Sequence, residues 1–201
     1  SVWVLAPSSE VLGAWREVRR TMGNVRKEFN FSEMKRQDLD DYKACVEFMA
    51  THTAALSFKA VSVPKPFGNP ESLFEELFYR LLVDGLRHEV ETGRITLPRT
   101  LQFAKDKGDP GRDALICRSL KDRLAVASDQ QFGSGVFPDD FESIASESAV
   151  LMQLADLFAA SLNRVHNYDG PRSHKDDFVD WFLGRLRYAC GTSDQVAHLA
   201  L

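Results

Sequence analysis

Residues 149–162, AVLMQLADLFAASL, decide how this chain is read. Apolar side chains fall on nearly every side of a helix drawn through them: Leu151, Met152, Leu154, Leu157, Phe158 and Leu162. Only Gln153, Asp156 and Ser161 interrupt. A helix apolar all round is expected inside a core. A carboxylate in its middle is then costly, because a charge taken out of water without a partner loses its hydration. Asp156 therefore has two readings. It is a buried structural carboxylate accepting backbone or arginine hydrogen bonds, or it is a metal ligand or general base at the edge of a cleft, where perturbed acids collect. Gln153 stands one turn away on the same face.

Working outward, FPDDFESIAS (137–146) reads as a short strand feeding this helix, and NYDGP (167–171) as the turn after it. A last helix is expected over about 173–188, opened by Ser173 with Asp176 three residues on, a helix-start capping arrangement. Upstream, GRDALICRSLKDRLAVA (111–127) is amphipathic, with Ile116, Leu120 and Leu124 inward and Arg118 and Lys121 on another face. RTLQFAKD (99–106) is a strand running into the loop KGDPG (107–111). NPESLFEELFYRLLVDGLRHEVETG (69–93) is a long helix capped by Asn69, with Pro70 in its first turn, Gly93 at its end, and Leu73, Leu77 and Leu81 as its inner stripe. ALSFKAVSV (55–63) alternates as a strand does, and DLDDYKACVEFMATHTA (38–54) is a helix opened by acids. EFNFSEM (28–34) is extended or irregular. SSEVLGAWREVRRTMG (8–23) is a helix with a serine cap stopping at Gly23, and SVWVLA (1–6) is a short buried strand. Strands alternating with helices predict an α/β domain whose sheet is covered by helices. With no repeat and no linker rich in Pro, Gly or Ser, residues 1–201 read as a single domain.

Composition narrows the function classes. No apolar run approaches the roughly 20 residues that span a bilayer, and the first residues lack a basic flank before an apolar stretch, so neither a membrane protein nor a secretory signal is expected. Three widely spaced cysteines, Cys45, Cys117 and Cys190, form no ligand pair and fit a reducing, cytoplasmic setting as small buried hydrophobes. A net charge of −4 argues against a protein that coats duplexes, but not against a nuclease with an acidic centre. The histidines show no ligand spacing, and there is no Gly-rich phosphate loop, GxSxG elbow or CxxC.

The remaining candidates are acids. Asp106 ends a strand beside a loop, where catalytic groups of α/β folds often stand, though a solvated loop acid is the simpler reading. Two carboxylates, one from that strand end and one from the 149–162 helix, would suit Mg²⁺ or Mn²⁺, which prefer oxygen ligands. Such ions activate water and stabilise the leaving oxygen in phosphodiester cleavage. Glu28 and Glu33 bracket FNFS, so that Phe29 and Phe31 anchor the segment while an acid points into a cleft; each acid taken singly is also an ordinary surface residue. Glu75 and Glu76 read as a solvated helix face. Arg112, Arg118, Lys121 and Arg164 are either phosphate contacts or ordinary surface charge.

Several of these stretches together resemble the bacterial and phage domain-of-unknown-function family 3800. EFNFSEM is similar to its glutamate–aromatic–lysine–phenylalanine–serine motif, and LMQLADLFAASLNR (151–164) to its signature Gln-Leu-Ala-Asp helix. IASES (144–148) is similar to its serine-containing strand end, and NYDG with HKDDF to its closing segment. The resemblance runs over about residues 2–188. It implies a ribonuclease H-like fold, a mixed central sheet flanked by helices, and a divalent-metal-dependent nuclease linked to mobile elements or phage defence. By the same resemblance Asp156 and Asp106 are metal ligands for Mg²⁺ or Mn²⁺. Glu28 or Glu33 is a further ligand or general base, and Gln153, Ser146 and Arg164 are positioning or substrate-contacting residues. The implied partner is nucleic acid. Two departures stand out. Asn30 replaces the motif lysine, and nothing matches the family's first-strand Asp-Glu-Ser-Gly motif, SVWVLA resembling the second strand. The first strand is then outside the chain as given, supplied by another chain, or lost. The alternative implied is a catalytically inactive ribonuclease H-like module acting in protein interaction or regulation, with a partner protein or as a homo-oligomer.

Overall fold

The structure is a computed structural model and describes residues 1–22, 28–61, 70–145 and 149–190. The chain is mixed α/β and mainly helical, its strands flanked by helices. It divides into two compact units, Ser1–Ser62 with Gln153–Leu201, and Val63–Met152. The strands pair within these units. Instead of a single central sheet, the described residues form two sheets of two strands each.

In the first unit, β1 (Val2–Val4) pairs antiparallel with β2 (Leu56–Phe58), Trp3 lying opposite Ser57. Helices α1 (Ser8–Thr21), α2 (Leu39–Thr51), α5 (Val150–Asn167) and α6 (His174–Cys190) build the rest. The core is aromatic. Trp15 of α1 meets Phe48 of α2 edge-on at 5.0 Å, Phe58 meets Phe158 at 4.9 Å, and Phe158 stacks on Phe182 of α6 at 5.0 Å. Burying a side chain of this size stabilises by about 1.5–3 kcal/mol, and contacts running through Phe29, Tyr42 and Phe178 join Trp15 to Phe182, so the aromatic chain links α1, α2, α5 and α6 to the short sheet. The expected serine cap of α1 does not form. Pro7 occupies the N-cap position and no side chain caps the helix. Proline's fixed φ makes the entry itself. Acids Asp40 and Asp41 do open α2, against the positive end of its dipole.

In the second unit, α3 (Pro70–Glu91) leads to β3 (Arg99–Asp106), then α4 (Pro110–Gln131), then β4 (Val136–Ile144). β3 and β4 are parallel, and α4, the crossover between them, packs on β4. Pro138 sits opposite Leu101, beside the register irregularity between Leu101 and Phe103. A proline cannot donate to a ladder and is tolerated at such breaks. The α4 stripe forms as expected, with Ile116, Leu120 and Leu124 buried. The α3 stripe does not: Leu73, Leu77 and Leu81 are half-buried, and among the helix's described side chains the buried ones are Leu82, Val83, Leu86 and Glu89. The helix presents the side one residue further round, where Arg94 salt-bridges Glu89 at 3.4 Å. Gly93 follows α3 with φ +70°, the left-handed turn that glycine adopts without strain. Asn69, Gly23 and Ser146 lie outside the described residues. No helix among the described residues is long and apolar enough to cross a membrane.

Candidate functional site

The α5 helix is amphipathic and not apolar all round. Gln153, Leu154, Leu157, Phe158 and Ser161 are buried, a stripe at helical spacing, whereas Asp156, Ala159 and Asn163 are exposed. Asp156 therefore sits in water, and the expectation of a buried carboxylate is overturned. Its apolar neighbours Leu151, Met152 and Leu162 are half-buried shoulders of the stripe, which leave a solvated lane for the acid. The desolvation penalty that made Asp156 an oddity is not incurred, and a buried structural role falls with it.

The buried polar groups of α5 are Gln153 and Ser161. Ser161 is satisfied locally, its Oγ donating to the Leu157 carbonyl at 2.7 Å. Gln153 reaches across the fold. Its Oε1 accepts the backbone N–H of Phe29 at 3.3 Å, joining α5 to EFNFSEM, 124 residues earlier. Phe29 and Phe31 are buried, as the aromatic bracket predicts, with Phe29 against Trp15 and Tyr42. The acids either side, Glu28 and Glu33, are exposed. Phe31–Glu33 is a single 3₁₀ turn. The Asn30 side chain accepts from Ser32 N–H at 2.9 Å and Ser32 Oγ at 2.7 Å, and the Tyr42 hydroxyl donates to the Asn30 carbonyl at 2.8 Å. Asn30 is thus a turn cap. Burial raises the Tyr42 phenol to about 12, keeping it a donor at any ordinary pH.

The start of α6 clamps the same segment. His174 Nε2 meets the Met34 carbonyl at 2.8 Å, and Lys175 Nζ donates to the Ser32 carbonyl at 2.6 Å. Asp176 accepts the Ser173 N–H at 2.6 Å, as the capping arrangement predicts. Arg164 completes this clamp. Its Nε and Nη2 make a fork to the two Asp176 oxygens at 2.7 and 2.8 Å, and the guanidinium lies 3.7 Å above the Tyr168 ring. The Arg164 hydrogen bonds hold the Asp176 carboxyl well below the usual range. Arg164 is thereby committed to holding α5 and α6 together.

Asp106 stands in the second unit. It is the last residue of β3, opposite Ile144, and is exposed, its Oδ1 accepting the Lys107 N–H at 2.9 Å. Beside it is a group the sequence reading missed. Asp113, in the first turn of α4, is 4% exposed and accepts Lys105 Nζ at 2.5 Å and Gly108 N–H at 2.7 Å. These bonds hold its carboxyl below the ordinary range, the lysine first. The signal was present in the strand alternation: Leu101 and Phe103 face the covered side, so Lys105 follows them inward and requires an acid. Glu75 and Glu76 of α3 pair with Arg123 at 3.5 and 2.6 Å, a surface network.

Among the described residues no group of three or more His, Cys, Asp or Glu side chains is placed to hold a metal, so they do not by themselves complete a ligand set for Mg²⁺ or Mn²⁺. Comparison with protein-family models, curated proteins and solved structures returned no match.

Proposed function

We propose that the chain is a ribonuclease H-like module acting on phosphodiester bonds of nucleic acid, with Asp156 as its principal metal carboxylate and Gln153 as its positioning residue. One observation carries this reading: the Gln153–Phe29 hydrogen bond joins the two motifs on which the resemblance rests. That bond anchors Glu28 next to a residue held one helical turn from Asp156, and both acids are exposed to solvent where an ion and a phosphate can reach them. The described residues do not by themselves complete the ligand set. Mg²⁺ or Mn²⁺, when bound, would supply the water activation that side chains alone do not. Asp106 enters this reading only through the resemblance.

The test is cleavage of single- and double-stranded DNA and RNA with Mn²⁺, by wild type and by Asp156→Asn. Loss of cleavage in the variant supports the assignment, and unchanged cleavage overturns it. The second reading, an inactive module acting through protein contacts, is favoured by Asn30, which spends its side chain on a turn cap where the motif has a charge. Calorimetric titration with Mn²⁺ separates the two. Heat that vanishes in Asp156→Asn belongs to the metal site, and no heat in either protein belongs to the inactive module.

A further inference from the structure

The outer face of α4 has a pattern that the fold does not use. Leu120 and Leu124 point inward, and on the opposite side Ala114, Leu115, Arg118, Asp122, Ala125 and Val126 are all exposed, Leu115 by 67% and Val126 by 55%. Among the described residues neither Arg118 nor Asp122 takes part in an ion pair or side-chain hydrogen bond, although they stand four apart on one helix. The pattern is symmetric about Leu120. Arg118 lies two residues before it and Asp122 two after; Leu115 five before and Val126 six after; Ala114 six before and Ala125 five after.

We propose that this face is a homodimer surface on which α4 packs antiparallel against α4 of a second copy, the two-fold axis passing at the level of Leu120. A two-fold interface must be complementary to itself, and this face meets the condition in both charge and size. With the helices antiparallel, Arg118 of each copy lies level with Asp122 of the other, giving two ion pairs at the centre. On one flank Leu115 lies level with Val126 of the second copy, closing the two largest exposed aliphatic groups of the helix against each other. On the other flank Ala114 meets Ala125, small residues that let helix axes approach to the roughly 8–10 Å of ordinary helix packing. The charge order also sets direction, because a parallel pair in register would put Arg118 on Arg118 and Asp122 on Asp122. A single helix pair covers less than the roughly 800 Å² per partner of a standard interface, so the dimer is weak and forms at high protein concentration.

Sedimentation velocity across a wide concentration range, up to millimolar, tests the proposal with three proteins: wild type, Arg118→Asp and Asp122→Arg. Wild type is expected to pass from monomer to dimer. Each variant places like charges opposite each other, and its dimerisation is expected to weaken by at least about tenfold. An equimolar mixture of the two variants restores opposite charges at both positions and is expected to recover the dimer. That recovery also shows that both variants are folded. A wild type that stays monomeric, variants that dimerise as wild type does, or a mixture no more associated than its components would each overturn the proposal.

Discussion

Replacing Gln153 by leucine tests whether its amide ties the aromatic segment to α5. The side chains are similar in size, so the change removes an acceptor and leaves little cavity. Gln153 is 6% exposed and accepts the Phe29 N–H, a buried contact. A buried donor stripped of its acceptor costs about 1–3 kcal/mol. The contact is long at 3.3 Å, while the segment keeps its aromatic packing on Trp15 and Tyr42, so the middle of that range, about 2 kcal/mol, is the working figure. Converted at 1.4 kcal/mol per factor of ten, this is roughly a thirtyfold rise in exchange at the Phe29 amide. The rise is expected whether the amide opens locally or through global unfolding. The urea midpoint distinguishes the routes, because local opening leaves stability and the exchange of Leu157 and Phe158 unchanged. Hydrogen exchange followed residue by residue is the assay. Exchange at Phe29 within about threefold of wild type, with a stability change below about 0.5 kcal/mol, would refute the tether.

Two further outcomes follow from the ion pairs. In Asp176→Asn the fork to Arg164 is weakened, at an expected cost of about 2 kcal/mol at neutral pH. Because the folded carboxyl is depressed below its unfolded value, this stabilisation is present above about pH 4 and is lost as pH falls through the depressed value. The wild-type advantage in urea midpoint should therefore shrink between pH 7 and pH 3, and an advantage that grows in acid would contradict the sign. In the second unit, Lys105→Met leaves the Asp113 carboxylate buried without its cation, held only by neutral donors that include the Gly108 N–H and the Ser143 side chain, at an expected cost of about 3 kcal/mol. Adding Asp113→Asn should recover part of that loss, and a double-mutant cycle with a coupling below about 0.5 kcal/mol would remove the pair from the account of the fold.

Local chemistry made much of the architecture legible. β3 spans RTLQFAKD as read, because its alternation and the Gly-Pro loop after it leave few other choices. The α4 stripe and the Ser173–Asp176 cap are likewise short-range features whose partners lie within a turn or two. The errors lie where a partner distant in sequence decides. Leu73, Leu77 and Leu81 form a valid helical stripe, yet α3 buries the face one residue on, because packing selects between two apolar faces that periodicity cannot rank. Strand pairing is equally non-local. Four strands were read near their places, but nothing in their patterns told which would share a ladder.

The candidate site shows the same division. Phe29 and Phe31 were legible as anchors from alternation alone, and Gln153 as the neighbour of Asp156 from helical spacing. What could not be read was which of Gln153 and Asp156 the core would take. Three residues on a helix are 300°, which places Asp156 about 60° from Gln153, enough for one to enter the core and the other to face water. The choice favours burying the neutral amide, whose oxygen is satisfied by one peptide N–H, over a carboxylate that would need several donors or a cation. Asp156 keeps its carboxylate at the surface, and the segment tied to its neighbour Gln153 carries the acid Glu28, which is exposed as well. The polar pair of this helix thus divides between two environments, a buried amide that ties α5 to the 28–34 segment and a carboxylate at the surface.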